Sequence, residues 1–184
     1  YEVVTLWAFA NGYIPMLNWE THPVYFVLLF CAVPIVRDAH FYFVHRLLHY
    51  RWFYRSVHQL HHKNVDIGPW SGMSMHPVEH ILYFSGILLH WVLLSHPMHA
   101  IFHVQATGLT PAMGHVGYHK WQSKDGNAHS IGQRYFHYLH HRYFECNYGG
   151  DGTVPLDKWF GTWHDGTPKS HDLMRGRRKQ AHGV

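Results

Sequence analysis

Three short histidine clusters constrain this chain more than any other feature. They read HRLLH at positions 45–49, HQLHH at 58–62 and HYLHH at 137–141. Residues three and four apart share one face of an α-helix, so HxxxH aims two imidazoles at one point and HxxHH aims three. Neutral imidazole is a common ligand of iron, zinc and copper. Three such clusters predict helices that converge on a polynuclear metal site.

The composition describes an apolar chain with few charges. Charged residues make up 14% of the 184 residues, against about 25% in an ordinary soluble domain. Part of the net charge of +4 lies in the tail RGRRK at 175–179. This tail suits an anionic membrane surface or a nucleic acid. No nucleic-acid motif accompanies it, so we expect a solvated tail and no nucleic-acid partner.

Cysteine usage and the first residues say little about the cellular compartment. Cys31 and Cys146 form no CxxC pair and no disulfide framework, which is compatible with a reducing compartment. No signal-peptide pattern is present, and the chain opens on Tyr1. We expect a fragment that has lost upstream sequence.

Two apolar stretches bear on a membrane. Val24–Val36 carries no charge but is shorter than the ~20 residues that span a bilayer. Ile81–Met113 is also uncharged, and Pro97 divides it into two helices that can form a hairpin or lie partly in the bilayer. The alternative is a pair of buried helices in a soluble all-α protein.

The coarse pattern is helix after helix, because little of the chain alternates with a period of two. We expect one all-α, membrane-associated domain over residues 1–184, with the boxes within 38–162 and a loop-rich basic tail over 163–184. Val24 to about Tyr50 reads as one long helix or two in line, and Pro77 opens another after His76. Lys120–Gly132 is polar and loop-like.

Several enzyme classes are excluded by their missing motifs. The chain has no HExxH, no Cys/His finger spacing, no GxSxG, no P-loop and no GxGxxG. The ExxH pairs of soluble di-iron bundles are also missing. A nearly all-imidazole site with eight to ten potential ligands remains, enough for two metal ions.

The three boxes, followed by NYG and then WFGT, resemble the fatty acid hydroxylase/sterol desaturase superfamily of membrane di-iron oxygenases of lipid metabolism. The resemblance covers Asp38 to Thr162, and HHKN…MHPVEH is similar to the segment after the second box in sterol-desaturase-like members. This branch is therefore favoured. The N-terminal membrane helices of the superfamily are expected to be missing here.

The resemblance implies the metal ligands residue by residue. His119 departs from many sterol-type members, which carry an acidic residue there, and restores the HxxxH of fatty acid 2-hydroxylase-like members. No catalytic side chain beyond the metal centre is implied. The expected ligands are His45, His49, His58, His61, His62, His115, His119, His137, His140 and His141.

Several other polar residues are candidates either to support the metal ligands or to have a purely structural role. His76 and His80 either orient ligands or belong to a capped helix start. Asn147 is a candidate to hold the ligands by hydrogen bonds, as are four further residues: Asp38, Arg46, Glu79 and Tyr148. His40, His96, His99 and His103 are expected to be packed or hydrogen-bonded rather than metal-bound.

The function implied is O2-dependent hydroxylation or desaturation of a membrane lipid, with a sterol or related lipid first and a fatty acyl chain second. Two iron ions are the expected cofactors, O2 is the co-substrate, and zinc can replace iron in recombinant samples. No flavin, haem or nicotinamide motif is present, so electrons must come from an external donor; cytochrome b5 or ferredoxin with a reductase is the family expectation.

The metal site is expected to face the cytosol, at the endoplasmic reticulum in a eukaryote or the inner membrane in a bacterium. The rival from another class is a non-catalytic, histidine-rich metal-binding or metal-transport membrane protein. That rival predicts histidines spread along a pore, whereas the enzyme predicts that all three boxes meet in one pocket.

Overall fold

The computed structural model describes residues 1–64, 68–115, 120–122, 128–130, 133–150 and 152–182. The predicted all-α class is confirmed within these ranges. Its helices are α1 (Glu2–Ala10), α2 (Pro23–Leu48), α3 (Arg51–Phe53), α4 (Gln59–His62), α5 (Pro77–Phe84), α6 (Pro97–Gly114), α7 (Gln133–Tyr143), α8 (Leu156–Trp159) and α9 (Pro168–His182).

Shorter elements connect these helices. A π-helical turn, Tyr54–His58, joins α3 to α4, and 3-10 turns cover Pro69–Met73 and Ser85–Trp91. Strands β1 (Lys120–Gln122) and β2 (Ala128–Ser130) pair antiparallel, with Trp121 opposite His129. They lie in the segment that we predicted as loop, and three-residue strands are too short to show a period of two.

Helix α2 extends the first apolar stretch at both ends. Pro23 starts it at a position where its missing N–H costs nothing, and the helix continues past Pro34 to Leu48 as one element. Its 26 residues give a length of about 39 Å. By length and composition α2 can cross a membrane, and only 11% of its most apolar 18-residue window is buried in the fold.

The second apolar stretch is divided at Pro97, as predicted. Before it, α5 begins at Pro77, and His76 caps the helix because its Nδ1 accepts a hydrogen bond from the Val78 N–H at 3.2 Å. After it, α6 packs against α1 and α2. Apolar side chains from α1, the loop after it, the 3-10 turn Ser85–Trp91 and α6 form one small core: Ala8, Phe9, Ile14, Ile87 and Ala100.

The tail corrects one prediction. We expected residues 163–184 to be loop-rich, but most of this segment forms α9. Pro168 occupies the first turn, and Thr167 Oγ1 accepts the Ser170 N–H at 3.3 Å, which caps the helix start. Met174 is buried, and His171 Nδ1 lies 2.8 Å from the Tyr143 hydroxyl, so α9 packs on the end of α7.

Candidate metal centre

Helix ends bring the histidine boxes into the interior. His45 lies in the last turn of α2, and His49 is its C-cap. In the second box, the Gln59 N–H bonds to the Tyr54 carbonyl five residues back, and this wider π turn sets the direction in which His58 points. Such π turns occur frequently at functional sites. The third box lies on α7, and His115 caps the end of α6.

Nine histidines form two groups, which we call site A and site B. Within each group, one ring nitrogen from every member lies within 4.8 Å of those of all the others. Site A consists of His45, His49, His58, His62 and His140. Site B consists of His61, His115, His137 and His141. The structure thus brings nine of the ten predicted ligands together; the tenth, His119, lies outside the described residues.

Each HxxHH box contributes two histidines to one site and one histidine to the other, and the two boxes do so in opposite order. His58 and His62 enter site A, while His61 enters site B. His137 and His141 enter site B, while His140 enters site A. We predicted that HxxHH aims three imidazoles at one point, and this is wrong. Adjacent residues on a helix differ by about 100° in direction, so only the i, i+4 pair shares a target.

Nitrogen distances in site A match the edges of a coordination polyhedron. His58 Nε2 lies 3.1 Å from His45 Nε2, 3.1 Å from His49 Nε2 and 3.0 Å from His62 Nε2. With a metal–nitrogen bond of about 2.1 Å, ligands at right angles lie about 3.0 Å apart and tetrahedral ligands about 3.4 Å apart. The observed separations therefore fit a metal ion at the centre.

Hydrogen bonding among the rings does not account for this packing. A neutral imidazole has one N–H, and here the same atom, His58 Nε2, faces three other ring nitrogens. His62 Nε2 likewise faces His49, His58 and His140 at 3.1, 3.0 and 3.2 Å. One proton cannot satisfy three acceptors, whereas lone pairs directed at a shared cation are stabilised.

Site B has the same geometry with four members. His115 Nε2 lies 3.2 Å from His141 Nε2 and 3.1 Å from His137 Nε2, and the latter two atoms are 3.1 Å apart. The ring of His62 in site A tilts against that of His141 in site B, with centroids 4.6 Å apart. The two sites are therefore neighbours, which is the arrangement of a dimetal centre.

Hydrogen bonds at Nδ1 leave Nε2 free to bind metal. The acceptors are the backbone carbonyls of Tyr148 for His45 (2.6 Å), Cys146 for His140 (2.7 Å) and Pro111 for His115 (2.7 Å). When Nδ1 donates to a carbonyl, the proton is on that nitrogen and the Nε2 lone pair points to the metal.

Glu79 supplies the only carboxylate contact to a site histidine within the described part of the chain. Its Oε1 lies 2.8 Å from His58 Nδ1, and both side chains are buried. Burial lowers the pKa of His58 to about 3 and raises the pKa of Glu79 to about 8. Burial, followed by repulsion from neighbouring imidazoles, also lowers the pKa values of three further site histidines well below 6.5: His61, His137 and His140. Neutral imidazole, the form that binds metal, is thus favoured.

The loop after α7 holds the carbonyls that orient two ligands. Asn147 lies between Cys146 and Tyr148 and has a left-handed backbone, with φ of 52°. Its Nδ2 donates to the carbonyls of Phe136 and His164, and its Oδ1 accepts the His164 N–H. Asn147 therefore shapes the turn, and among the described residues its side chain makes no hydrogen bond to a site histidine.

Asp157, in α8, is a buried residue that holds this loop and that the sequence reasoning missed. Its carboxylate accepts the Tyr148 N–H at 2.9 Å, the Gly149 N–H at 2.8 Å and the Thr162 hydroxyl at 2.6 Å. Burial raises its pKa even though these hydrogen bonds favour the charged form. Its position just before WFGT was the only available signal.

The other candidate histidines in the described part of the chain belong to neither site. His76 is a helix cap, which was one of its two readings, and His80 stacks on Phe84. His40 Nε2 lies 3.0 Å from the Ser85 hydroxyl, and His99 Nε2 donates to the Phe26 carbonyl at 2.8 Å. His103 pairs with His90 at 3.2 Å.

A cavity adjoins both sites and provides room for a substrate. It contains about 830 Å³ of empty space, its open mouth included, between α2, α5, α6 and the loop after α7. Its lining includes His45 and His58 from site A and His61, His115 and His137 from site B. Most of the remaining wall is apolar, for example Phe41, Val44, Leu48, Met75 and Tyr83. An elongated apolar molecule can therefore approach the metal sites.

Known proteins resemble this chain over the segment that carries the boxes. Delta(7)-sterol 5(6)-desaturase of Candida glabrata is 30% identical over 76% of this chain and 38% of the relative. Methylsterol monooxygenase 1 of Gallus gallus is 30% identical over 79% of this chain and 50% of the relative. Fatty acid hydroxylase domain-containing protein 2 of Macaca fascicularis is 28% identical over 80% and 44%, respectively.

The chain thus spans half or less of the length of these relatives. No solved structure matches it significantly. The relatives support the sterol-desaturase-like branch, which the HHKN…MHPVEH segment favoured. The model of the fatty acid hydroxylase family matches residues 30–162, which contain every histidine of sites A and B. The chain belongs to the fatty acid hydroxylase family.

Proposed function

We propose that the chain is the catalytic part of an O2-dependent di-iron oxidoreductase that hydroxylates or desaturates a membrane lipid. One observation carries the proposal: histidines of two adjacent all-imidazole sites line the same largely apolar cavity. The printed names of the relatives, sterol desaturase and methylsterol monooxygenase, support a sterol or related lipid as the first choice. A fatty acyl chain is the second choice.

Sites A and B would each hold one iron ion, and together the ions would supply the O2 chemistry that no side chain can provide. The donor set fits, because imidazole suits iron and the Nε2 separations match a coordination polyhedron. The carbonyls of Tyr148, Cys146 and Pro111 keep three of the imidazoles oriented. The apolar wall of the cavity positions the lipid carbon and excludes water.

The overall reaction balances with two electrons from an external donor. In hydroxylation, a C–H bond, O2, two electrons and two protons give C–OH and one water. In desaturation, two hydrogens leave neighbouring carbons and two waters form. Both outcomes share the first hydrogen abstraction. We propose a one-electron carrier such as cytochrome b5 or a ferredoxin with its reductase as the donor.

We further propose that α2 crosses the membrane and that the sites lie where it leaves the bilayer. His45 and His49 are at the C-terminal end of α2, so the metals would lie just outside the hydrocarbon layer. From there a cytosolic donor can reach them, while the cavity beside α2 can receive a lipid from the bilayer.

The rival proposal, a metal transporter or store, has less support. It requires histidines distributed along a path, but nine of them form two adjacent sites. Lipid profiling of cells that express the full-length protein tests the choice, with a His140→Ala variant as the control. We expect an oxidised lipid with the wild-type protein alone. An unchanged lipid profile under saturating reductant would favour the rival.

A further inference from the structure

A charged pair lines the cavity away from the histidines. Arg37 and Asp38 lie on α2, within the helix that can span a membrane, and their side chains are 17% and 12% exposed. Ionisable residues inside a membrane are costly, and they usually mark a functional site. The mechanism proposed above leaves this pair without a role.

Protein groups fix the orientation of the Arg37 guanidinium. Its Nε and Nη2 donate to Asp38 Oδ1 at 3.2 and 2.7 Å. Its Nη1 donates to Thr110 Oγ1 at 2.6 Å and to the Ala106 carbonyl at 3.3 Å. The other oxygen of Asp38 accepts the N–H and hydroxyl of Thr153, both at 2.9 Å. Asp38 therefore has no strong acceptor left for a ligand.

These contacts leave one N–H of Arg37, on Nη2, with no acceptor among the described residues, and Arg37 lines the cavity. A guanidinium has five N–H groups, and acceptors in the described part of the chain take four of them. One N–H matches one neutral oxygen, such as a hydroxyl or carbonyl group. A carboxylate binds arginine best through two parallel N–H groups, and the charge of Asp38 would repel it.

The position of Arg37 also limits where the lipid reacts. Eight residues of α2 separate Arg37 from His45, which is about 12 Å along the axis, and five residues of α6 separate Thr110 from His115, about 7.5 Å. A hydrogen bond takes up about 3 Å of this distance at one end. About 4 to 9 Å along the helices then remains between the bound oxygen and the level of His45 and His115, so the reacting carbon lies several bonds from that oxygen.

We propose that Arg37 binds the neutral oxygen of the lipid substrate and thereby selects alcohols or carbonyl lipids over free fatty acids. This inference depends on the proposed function in one respect: it takes this cavity as the site where the lipid substrate binds. Arg37 is then a specificity-determining residue, and Asp38 and Thr110 hold its guanidinium in place.

Equilibrium binding to zinc-loaded protein in detergent micelles tests this without any turnover. The probes are tritiated cholesterol, 5-cholestene, which lacks the hydroxyl group, and palmitate as competitor. We expect cholesterol to bind at least about 10-fold more tightly than 5-cholestene, since a hydrogen bond to a charged donor is lost in the latter. Palmitate should not displace cholesterol. Equal binding of the two sterols, absence of binding by both, or displacement by palmitate would overturn the proposal.

A double variant, Arg37→Met with Asp38→Asn, removes the donor without leaving a buried charge. It should bind cholesterol and 5-cholestene equally, while Arg175→Met, which changes an exposed arginine, should keep the preference. A preserved preference in the double variant would also contradict the proposal. Because zinc-loaded protein is used, failure of the oxygen chemistry would leave these results unchanged, so the two proposals fail separately.

Discussion

His61 and His62 are consecutive in the chain, yet their imidazoles belong to different sites. Their ring planes meet at 84°, with centroids 5.7 Å apart. His62 joins site A and His61 joins site B. The second box therefore contributes to both sites across one peptide bond.

This arrangement predicts the metal content of two single variants. His61→Ala removes one of the four nitrogens of site B, and His62→Ala removes one of the five of site A. Each should lower the metal bound per chain from two toward one, measured by elemental analysis after removal of excess metal. Cobalt-substituted samples should lose different parts of the absorption spectrum. His22→Ala, an exposed control, should retain two ions. Loss of the same spectral component in both variants would refute the division into sites A and B.

Glu79 should act on metal affinity through His58. Glu79→Leu removes the acceptor of the His58 Nδ1 proton, and losing such a partner typically weakens metal binding about 10- to 100-fold. Glu79→Gln keeps an oxygen there and should retain more of the affinity. Competition with a chelator measures the effect, with the exposed Glu145→Leu as the matched control. Equal affinities for Glu79→Leu and the wild-type protein would show that the contact is not needed.

Asp157 should contribute to stability and to the loop that orients His45. Asp157→Ala leaves two backbone N–H groups and one hydroxyl without their acceptor, at a cost of about 1–3 kcal/mol in the free energy of unfolding. Denaturant unfolding measures the change, and Asp172→Ala on the exposed face of α9 should be nearly neutral. A change of the same size in both variants would argue against the structural role of Asp157.

The proposed orientation places the metal side of the chain in the cytosol. In a Cys31→Ser background, cysteines introduced by Lys63→Cys and Lys169→Cys, both at exposed positions, should react with a membrane-impermeant thiol reagent only after the cells are opened. Positive residues favour the cytosolic side, and the electron donor must reach the metals there. Labelling of either position in intact cells would refute this topology.

The sequence predicted much of the site because imidazole spacing is a local property. HRLLH, HQLHH and HYLHH identify eight of the nine histidines that meet, and His115 is the ninth. Pro97 and Pro77 mark helix boundaries correctly. The assignment of each ring to site A or B could not be predicted. It depends on the π turn at Tyr54–His58 and on the angles between helices, which are set by packing.

Other parts of the site could not be predicted from the sequence, because they also depend on how the chain folds. The orientation of His45, His140 and His115 comes from backbone carbonyls, which every residue carries. The sequence around Asp157 does not distinguish it from an exposed carboxylate, and only the fold shows that it is buried. The tail was predicted to be loop-rich, but a capped segment with few apolar residues can still form a helix.

Metal reconstitution tests the central claim most directly. Metal-free protein is loaded with Fe(II) or Zn(II), the ions per chain are counted, and oxidation of the lipid that lipid profiling identifies is followed with a chemical reductant under O2 or argon. Imidazole sites bind zinc more tightly than ferrous iron, so both metals should load. We expect two ions per chain in each case, with O2-dependent oxidation of the lipid only in the iron-loaded protein. Full activity with zinc alone, or a single iron per chain at full activity, would contradict a di-iron centre built from sites A and B.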